Sequence, residues 1–262
     1  MMSMDQKRIL LTGGSSGIGE QCARKLLDQG ADVIVLDRNP CLVDGVEFHQ
    51  VDMTDQDAVA AVVAGLADGP FDTLLNVAGL PPRDGNEALL YDVNFFALRH
   101  LTELMMDRLV DDAAIVNVAS LAGSQWVQNI DQVKQLLSME EGIDGDQAHQ
   151  ILGLPAPRAY ALTKEAVIVW TAQQTANGMP RGIRMNSVSP AAVSTAILGD
   201  FKSAFGPKVA ANLERVGRPS DADEVADLIL FLASEQSKWI KGCDFVIDGG
   251  ISAVTKQAMF GF

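Results

Sequence analysis

Tyr160 and Lys164 are the two residues whose types and spacing point most directly to chemistry. They stand four positions apart in a predicted helix, residues 158–177, so both side chains project from one helix face. A phenol has a pKa of about 10, and a neighbouring ammonium group favours the phenolate and lowers that pKa. The pair therefore predicts a tyrosine that exchanges a proton with a substrate oxygen. The alternative for this spacing alone is an ordinary surface pair.

Two further polar residues are predicted to assist this pair. Ser120 follows a predicted strand, residues 113–119, and could hold the substrate oxygen. Asn94 lies in a predicted helix, residues 86–109, and could anchor a water molecule that leads from Lys164 to solvent. The alternatives are a strand-end cap for the serine and a polar helix face for the asparagine, so the prediction depends on their combination with the other motifs.

A glycine-rich turn near the start of the chain predicts a phosphate site. Residues 12–19, TGGSSGIG, follow an apolar run typical of a strand and precede a helical stripe that ends at Gly30. In such a turn Gly13 permits the bend, Gly17 lets the backbone approach a pyrophosphate, and Gly19 lets the helix pack closely on the strand. The helix N-terminus then offers free N–H groups to phosphate. The alternative is a turn that binds nothing.

Asp37 predicts which dinucleotide would bind at that turn. It ends the next predicted strand, residues 31–36, about 20 residues beyond the turn, where a carboxylate accepts the hydroxyls of an adenosine ribose. The same charge repels a 2′-phosphate, and no Lys or Arg lies within the turn, so NAD is predicted over NADP. Arg38, the next residue, leaves NADP open, and a solvated strand end is the alternative for Asp37.

Strands and helices alternate along the chain, which predicts an α/β fold. Strands are predicted at residues 8–11, 31–36, 46–51, 71–77, 113–119, 183–188 and 243–247. This order predicts a doubly wound, seven-stranded parallel sheet with helices on both faces and a ligand crevice at the carboxyl ends of the strands. Five candidate residues fall at such ends: Gly13, Asp37, Asn76, Ser120 and Ser189.

Residues 121–158 form an unusual excursion between the fifth strand and the helix of Tyr160. Apolar residues recur at helical spacing in its first half, at Val127, Ile130, Val133 and Leu137. Glycines break that helix, and a second short helix is predicted at residues 148–152. We interpret the segment as a helical hairpin inserted beside the sheet, so residues 1–262 are expected to form one domain.

Composition and charge limit the possible classes of protein and partner. With 262 residues, 48% of them hydrophobic, the chain can build a sizeable core. A formal net charge of −14 argues against nucleic acid or an anionic membrane as the main partner. Scattered cysteines without a CxxC motif and scattered histidines predict free thiols and no metal site. No apolar segment suits a signal core or a membrane span, so a cytoplasmic protein is expected.

Together these motifs resemble the classical short-chain dehydrogenase/reductase family. The resemblance covers nearly the whole chain and rests on the glycine turn, Asn76-x-Ala78-Gly79, Asn94, Ser120 and Tyr160-x-x-x-Lys164. It implies a Rossmann-type fold, a nicotinamide cofactor and a catalytic tetrad of Asn94, Ser120, Tyr160 and Lys164. Two positions depart from the family pattern, with Val77 in place of the usual asparagine and Ala191 in place of the usual glycine.

The resemblance also implies a set of cofactor contacts. Lys164 would bond the nicotinamide ribose, and Thr195 would bond the carboxamide. The other contacts are implied at Gly13, Ser15, Ser16, Gly17, Ile18, Gly19, Asp37, Arg38, Asp52, Met53, Asn76, Ala78, Gly79, Tyr160, Pro190 and Val193.

The long separation of Ser120 and Tyr160 is similar to that of one branch, the 3α-hydroxysteroid dehydrogenase/carbonyl reductases and the coniferyl-alcohol dehydrogenases. This branch implies an apolar, ring-bearing substrate of the aromatic-alcohol or hydroxysteroid type. The substrate pocket is expected to include Trp126, Leu154, Ile197 and Phe201. For Trp126 and Leu154 the alternative is that they only pack the insertion onto the sheet.

The combined expectation is an NAD-dependent oxidoreductase that interconverts a small-molecule alcohol and its aldehyde or ketone. One alternative is an NADP-linked carbonyl reductase of the same fold. The other is a cofactor-binding regulator without catalysis, against which the complete tetrad argues.

The insertion also bears on assembly. Family tetramers commonly use a four-helix bundle built from the helices that here carry Asn94 and Tyr160. Because the insertion emerges beside that bundle, we expect it to block the bundle. A homodimer through the helix at residues 221–233 and the last strand is then expected, since that strand would otherwise be an open edge.

Overall fold

Seven parallel strands form the central sheet of the computed structural model, which describes residues 4–261. The strands are β1 (Arg8–Thr12), β2 (Asp32–Asp37), β3 (Glu47–Gln50), β4 (Phe71–Asn76), β5 (Leu109–Val118), β6 (Arg184–Pro190) and β7 (Asp244–Ile247). Their spatial order in this described range is β3-β2-β1-β4-β5-β6-β7, and each neighbouring pair is parallel. The predicted Rossmann-type, doubly wound fold is confirmed.

The core lies in two layers, one on each face of the sheet. Successive strand residues point to opposite faces, so Leu10 and Ile34 join one apolar cluster while Ile9 and Val33 join the other. The helices of the described residues are α1 (Gly17–Asp28), α2 (Gln56–Gly65), α3 (Glu87–Tyr91), α4 (Ala97–Met105), α5 (Ile130–Leu137), α6 (Gly145–Leu152), α7 (Ala156–Gly178), α8 (Leu198–Phe205), α9 (Pro207–Val216), α10 (Ala222–Ala233) and α11 (Ile251–Phe260).

The predicted long helix at residues 86–109 is interrupted. A π-helical segment, Asp92–Phe96, separates α3 from α4, and a 3₁₀ turn, Met106–Arg108, leads directly into β5. Asn94 lies in the middle of the π-helical segment. Such segments are rare in α-helices, and where they occur they often lie at functional sites.

The insertion consists of a 3₁₀ turn, Leu121–Gly123, followed by α5 and α6. Helix α5 packs mainly on α7 through buried residues that include Val133, and α6 packs mainly on α3. Val127 is exposed and precedes α5, so the helical stripe starts later than the sequence pattern predicted. Each helix therefore finds its partner on the main body of the protein rather than on the other.

The stretch after β6 contains two helices that the sequence pattern did not predict. Val193–Ser194 pairs with Ser220–Asp221, which brackets α8 and α9 between two short parallel strands. The C-terminal stretch forms α11, which contacts α9 and keeps most of its side chains exposed. These helices stand over the carboxyl ends of the strands, where the candidate residues collect.

Candidate active site

Tyr160 lies near the start of α7 and is almost wholly buried. Its hydroxyl hydrogen-bonds with Ser120, which follows β5 and accepts a bond from the Ala122 N–H at 3.2 Å. Burial raises the pKa of Tyr160 to about 12, and the bond with Ser120 opposes that rise. The sequence predicted that Lys164 would lower this pKa, but the pKa is raised, because the loss of water around the phenol dominates.

Lys164, one helical turn further along α7, directs its ammonium group toward β5. Nζ donates to the Val118 carbonyl oxygen at 2.9 Å and lies 5.9 Å from the centre of the Tyr160 ring. The side chain is buried, which lowers the pKa of Lys164 to about 8. A backbone carbonyl therefore fixes the cation beside the phenol.

Asn94 positions the segment that follows β4. Its Oδ1 accepts from the Leu80 N–H at 2.7 Å, and its Nδ2 donates to the Leu80 carbonyl at 3.1 Å. Gly79 makes room for this arrangement, because a Cβ there would lie 3.3 Å from Asn94 Oδ1 and 3.4 Å from Lys164 Nζ. Asn94 is buried and does not line the cavity, and its side chain is bonded to Leu80; its role as a water anchor stays a prediction.

A cavity of about 810 Å³ connects the carboxyl ends of the strands with α8 and α9. Many of the predicted residues line it: Ser16, Gly17, Ile18, Gly19, Gly79, Ser120, Tyr160, Lys164, Pro190, Val193, Thr195, Ile197 and Phe201. Phe201 and Phe205 of α8 stand edge-on to Tyr160, with ring centres 5.3 and 6.1 Å from its own. Sequence reasoning missed Phe205 as a site residue, although it follows Phe201 at helical spacing.

The arrangement has close counterparts among known proteins. Residues 7–131 match the family model described as short chain dehydrogenase, and residues 146–252 match the model described as enoyl-(acyl carrier protein) reductase. The chain is 36% identical over 255 residues to the coniferyl-alcohol dehydrogenase of a Pseudomonas species, a match that covers 96% of this chain and 99% of that protein. The chain belongs to the short-chain dehydrogenase family.

This short-chain dehydrogenase is also similar to 3α-hydroxysteroid dehydrogenases, the other enzymes of the predicted branch. It is 27% identical to the 3-alpha-hydroxysteroid dehydrogenase/carbonyl reductase of Comamonas testosteroni, over 96% of this chain and 99% of that protein. The solved structure of the 3-alpha-hydroxysteroid dehydrogenase from Pseudomonas sp. B-0831, complexed with NADH, matches with a TM-score of 0.81 at 29% identity, covering 95% of this chain and 98% of that chain. The predicted branch is confirmed.

The family sets the class of reaction and the class of cofactor. The chain is an oxidoreductase of the alcohol dehydrogenase type, which acts on small molecules, and its family binds NAD(P). Across residues 4–261, none of the helices combines the length and the apolar character needed to cross a membrane.

The glycine turn of this short-chain dehydrogenase fits a dinucleotide phosphate. The N-terminus of α1 opens to the cavity, and the Ser16 side chain does not cap it, so first-turn N–H groups remain for a pyrophosphate. Gly17 has a positive φ of 56°, and a Cβ there would lie 3.2 Å from Thr195 Cγ2. A side chain would therefore narrow the passage between the turn and the loop after β6. Gly19 allows contact with Gly13, whose carbonyl oxygen a Cβ would meet at 2.1 Å.

Asp37 is held at the end of β2 beside that turn. Its carboxylate accepts from the Ser15 N–H at 3.0 Å and from the Asn39 N–H at 2.9 Å. Arg38 turns toward Asp52, with Nη1 3.8 Å from Oδ2. These residues lie outside the cavity, at the ends of β2 and β3, where residues that hold an adenosine ribose would fit.

The side chains of several predicted cofactor residues bond to or pack against other parts of the protein. Asn76 is buried and donates to Thr102 Oγ1 at 2.9 Å and to Asn117 Oδ1 at 2.8 Å, so its amide joins a network beneath the cavity. Met53 is buried in the apolar core, so only its backbone is available to a ligand. Thr12, which sequence reasoning missed, accepts from the N–H groups of Val77 and Ala78, each at 3.1 Å.

Trp126 and Leu154 were expected to line the substrate pocket, and the structure places them elsewhere. Both pack, partly buried, against the core cluster that includes α5 and α7, and neither lines the cavity. The alternative, that they pack the insertion onto the body, is the one that agrees with the structure. Their neighbours Gln125, Asn129 and Arg158 line the cavity instead and were not predicted.

Proposed function

We propose that this chain is an NAD-dependent dehydrogenase that interconverts an alcohol and its aldehyde or ketone, with Tyr160 as the acid and base. The observation that carries the proposal is the buried Tyr160 hydroxyl, which is bonded to Ser120 at the wall of the cavity. A bound nicotinamide accepts or supplies the hydride, and the protein has to move only the proton.

The residues around Tyr160 suit that proton transfer. Ser120 offers a hydroxyl that can hold the substrate oxygen while Tyr160 gives or takes its proton. Lys164 brings a cation near the phenol, and a positive charge favours the phenolate form that the transfer requires. The Val118 carbonyl keeps that cation in place.

Charge at the ends of β2 and β3 supports NAD rather than NADP. The Asp37 carboxylate lies beside the glycine turn, where it attracts ribose hydroxyls and repels an added phosphate. Arg38, the residue that could have favoured the phosphate, is directed toward the Asp52 carboxylate.

The cavity wall supports an apolar, ring-bearing substrate. Phe201 and Phe205 stack with their planes 10° apart and present an aromatic surface beside Tyr160. Ile197, Leu213 and Val216 extend this apolar wall. Aromatic rings prefer such offset and edge-on neighbours, which favours an aromatic ring in the substrate. The apolar lining as a whole favours an apolar ring system, such as a steroid, over a sugar.

The test is turnover of a panel of alcohols by the purified protein, with reduced cofactor detected by its absorbance. We expect reduction of NAD with cinnamyl alcohols or hydroxysteroids, and a lower kcat/KM with NADP. Equal kcat/KM with both cofactors would contradict the cofactor choice. Cofactor binding without turnover of any alcohol or carbonyl compound would contradict the proposed chemistry and favour a regulator.

We also propose that the chain forms a homodimer. Helix α7, which would enter a four-helix bundle, is covered within the chain by α3, α5 and the 3₁₀ turn after β5. The sheet edge at β7 carries the exposed Val246, and Trp239 just before it is 94% exposed. An apolar edge of this kind favours a second copy as its cover.

A further inference from the structure

One wall of the cavity is formed by α7, and Tyr160 and Lys164 occupy only one side of that wall. Successive residues of a helix are rotated by about 100°, so Tyr160 and Lys164 lie at one margin of the cavity-facing arc, Ala161 at its middle, and Arg158 and Glu165 at the other margin. The distance across a helix with its side chains is on the order of 10 Å. The second margin is therefore far from the reacting atoms, yet still faces the cavity.

The Arg158 guanidinium is held rigidly at this second margin. Its Nε and Nη2 donate to Gln132 Oε1 at 3.1 and 2.7 Å, and Nη2 also donates to Glu165 Oε2 at 2.8 Å. Asn129 Nδ2 donates to Glu165 Oε1 at 2.7 Å, which occupies the other carboxylate oxygen. The Glu165 side chain is 1% exposed and the Arg158 side chain 24% exposed.

These contacts leave one end of the guanidinium unused. Within residues 4–261, Nη1 of Arg158 donates to no protein atom, although it carries two N–H groups. Since Arg158 lines the cavity and two partners fix its orientation, it is a donor that loses little conformational entropy on binding a ligand.

We propose that Arg158 determines substrate specificity by donating a hydrogen bond from Nη1 to an oxygen at the far end of the ring-bearing alcohol. This inference rests on the proposed function and names the substrate more closely. The partner group is a neutral acceptor, such as a phenol or ether oxygen, because Glu165 already offsets the positive charge. A ring with a short side chain separates such an oxygen from the reacting carbon by about the width of a helix.

A purely structural role for this ion pair makes a different prediction. If Arg158 only fastened the insertion to α7, its loss would affect all substrates equally through stability. A hydrogen bond to a charged donor would instead affect only substrates that carry the acceptor, by roughly tenfold to a hundredfold in kcat/KM.

The experiment compares para-hydroxycinnamyl alcohol with para-methylcinnamyl alcohol, which differ by a hydroxyl in place of a methyl group at the far end of the ring. Removing Arg158 alone would leave Glu165 buried and unpaired, so the variant is the double replacement Arg158→Met/Glu165→Met, which keeps the site apolar and filled. Arg158→Lys, which keeps a charge but loses the fixed fork of donors, is the second variant. Arg24→Met, which breaks an exposed ion pair on α1, is the control.

The wild type is expected to prefer the hydroxylated alcohol at least about tenfold, and the double variant is expected to lose that preference through the hydroxylated substrate alone. Arg158→Lys should partly lower the preference for the hydroxylated alcohol. If the double variant does not fold, this second variant still tests whether Arg158 sets the preference. No preference in the wild type, an equal fall for both alcohols, or a preference retained in both Arg158 variants would overturn the inference. If the wild type turned over none of the alcohols in the panel, including these two, the proposed function would be overturned instead.

Discussion

Tyr160 is a weaker acid in this structure than a free tyrosine, because its side chain is almost wholly buried. Burial raises the pKa of Tyr160 to about 12, whereas burial lowers the pKa of Lys164 to about 8. Both shifts oppose formation of the ion pair of phenolate and ammonium. The proposed chemistry therefore depends on positive charge near the phenol when cofactor and substrate fill the cavity.

Replacement of Tyr160 by phenylalanine tests the proton transfer. Tyr160→Phe keeps the ring and its contacts with Phe201 and Phe205 but removes the transferable proton. We expect kcat to fall by at least about a hundredfold, with binding of NADH near that of the wild type. Steady-state kinetics and titration of NADH fluorescence measure the two effects. Substantial turnover by Tyr160→Phe would show that another group is the acid.

Burial of the Lys164 ammonium group is expected to lower the free energy of unfolding by an amount that varies with pH. Its pKa is lowered to about 8, so between this value and about 10.5 the unfolded chain binds more protons than the folded chain, and stability rises with pH. We expect Lys164→Met to be inactive, yet more stable than the wild type by about 1–3 kcal/mol at pH 7. That advantage should shrink between pH 8 and pH 10.

Chemical unfolding of both proteins at several pH values checks this. Lys134→Met, at an exposed position on α5, is the matched control and should leave the pH dependence as in the wild type. A Lys164→Met protein that is less stable than the wild type at pH 7 would contradict the expected cost of burying the charge.

At the scale of elements, a carboxylate at the junction of α3 with the π-helical segment contacts the start of α6. Asp92 accepts from the Gly145 N–H at 2.6 Å, and a Cβ at Gly145 would meet the Ala88 carbonyl oxygen at 2.0 Å, so the two helices are in close contact. Burial raises the pKa of Asp92 to about 6; the Gly145 N–H opposes this rise, and the nearby charges of Asp144 and Asp146 add to it.

Asp92→Asn is expected to stabilise the protein at high pH. The folded chain binds more protons than the unfolded chain between about pH 4 and 6, so the wild type loses stability as pH rises through that range. We expect the variant to be more stable by about 1–2 kcal/mol at pH 8, and the difference to vanish near pH 4. Thermal unfolding against pH is the measurement, with the exposed loop variant Asp68→Asn as control. A difference that does not depend on pH would contradict the assignment to Asp92.

Trp126 and Phe201 were both predicted to line the pocket, and replacing each by alanine should now have different effects. Trp126 packs the insertion onto the core, so Trp126→Ala should lower the free energy of unfolding by about 2 kcal/mol and leave the kinetics of the folded protein unchanged. Phe201 lines the cavity, so Phe201→Ala should raise KM for a ring-bearing alcohol about tenfold with a smaller loss of stability. Melting curves and steady-state kinetics of both variants separate the effects. A higher KM with little loss of stability in Trp126→Ala would show that Trp126 contacts the substrate.

At the scale of the whole molecule, the proposed homodimer leads to a prediction about its edge. Trp239→Glu places a charge on the exposed residue before β7 and should convert a dimer to a monomer at micromolar concentration. Leu42→Glu changes another highly exposed apolar residue, in the loop after β2, and should leave the dimer intact. Light scattering after size exclusion distinguishes these states. A wild-type tetramer that persists on dilution would show that the insertion does not block the helix bundle.

Local patterns in the sequence were sufficient for much of this protein. The spacing of Tyr160 and Lys164, the glycine turn and the alternation of strands and helices depend on residues a few positions apart. The cap of α2 is equally local, since Asp55 accepts from the Ala58 N–H at 2.9 Å. Because parallel strands share their carboxyl ends, the strand order alone brought Ser120 and the glycine turn to one edge of the sheet.

Only the tertiary structure decided which side chains face the cavity. Asn94 and Leu80 bond across a loop, the network of Asn76 joins two strands and a helix, and Arg158 meets Gln132 from the insertion. The sequence pattern near each residue does not specify such partners, because they are brought together by the packing of distant elements. Trp126 shows the same limit: its distance along the chain from Ser120 suggested the pocket, but the 3₁₀ turn between them directs it to the core.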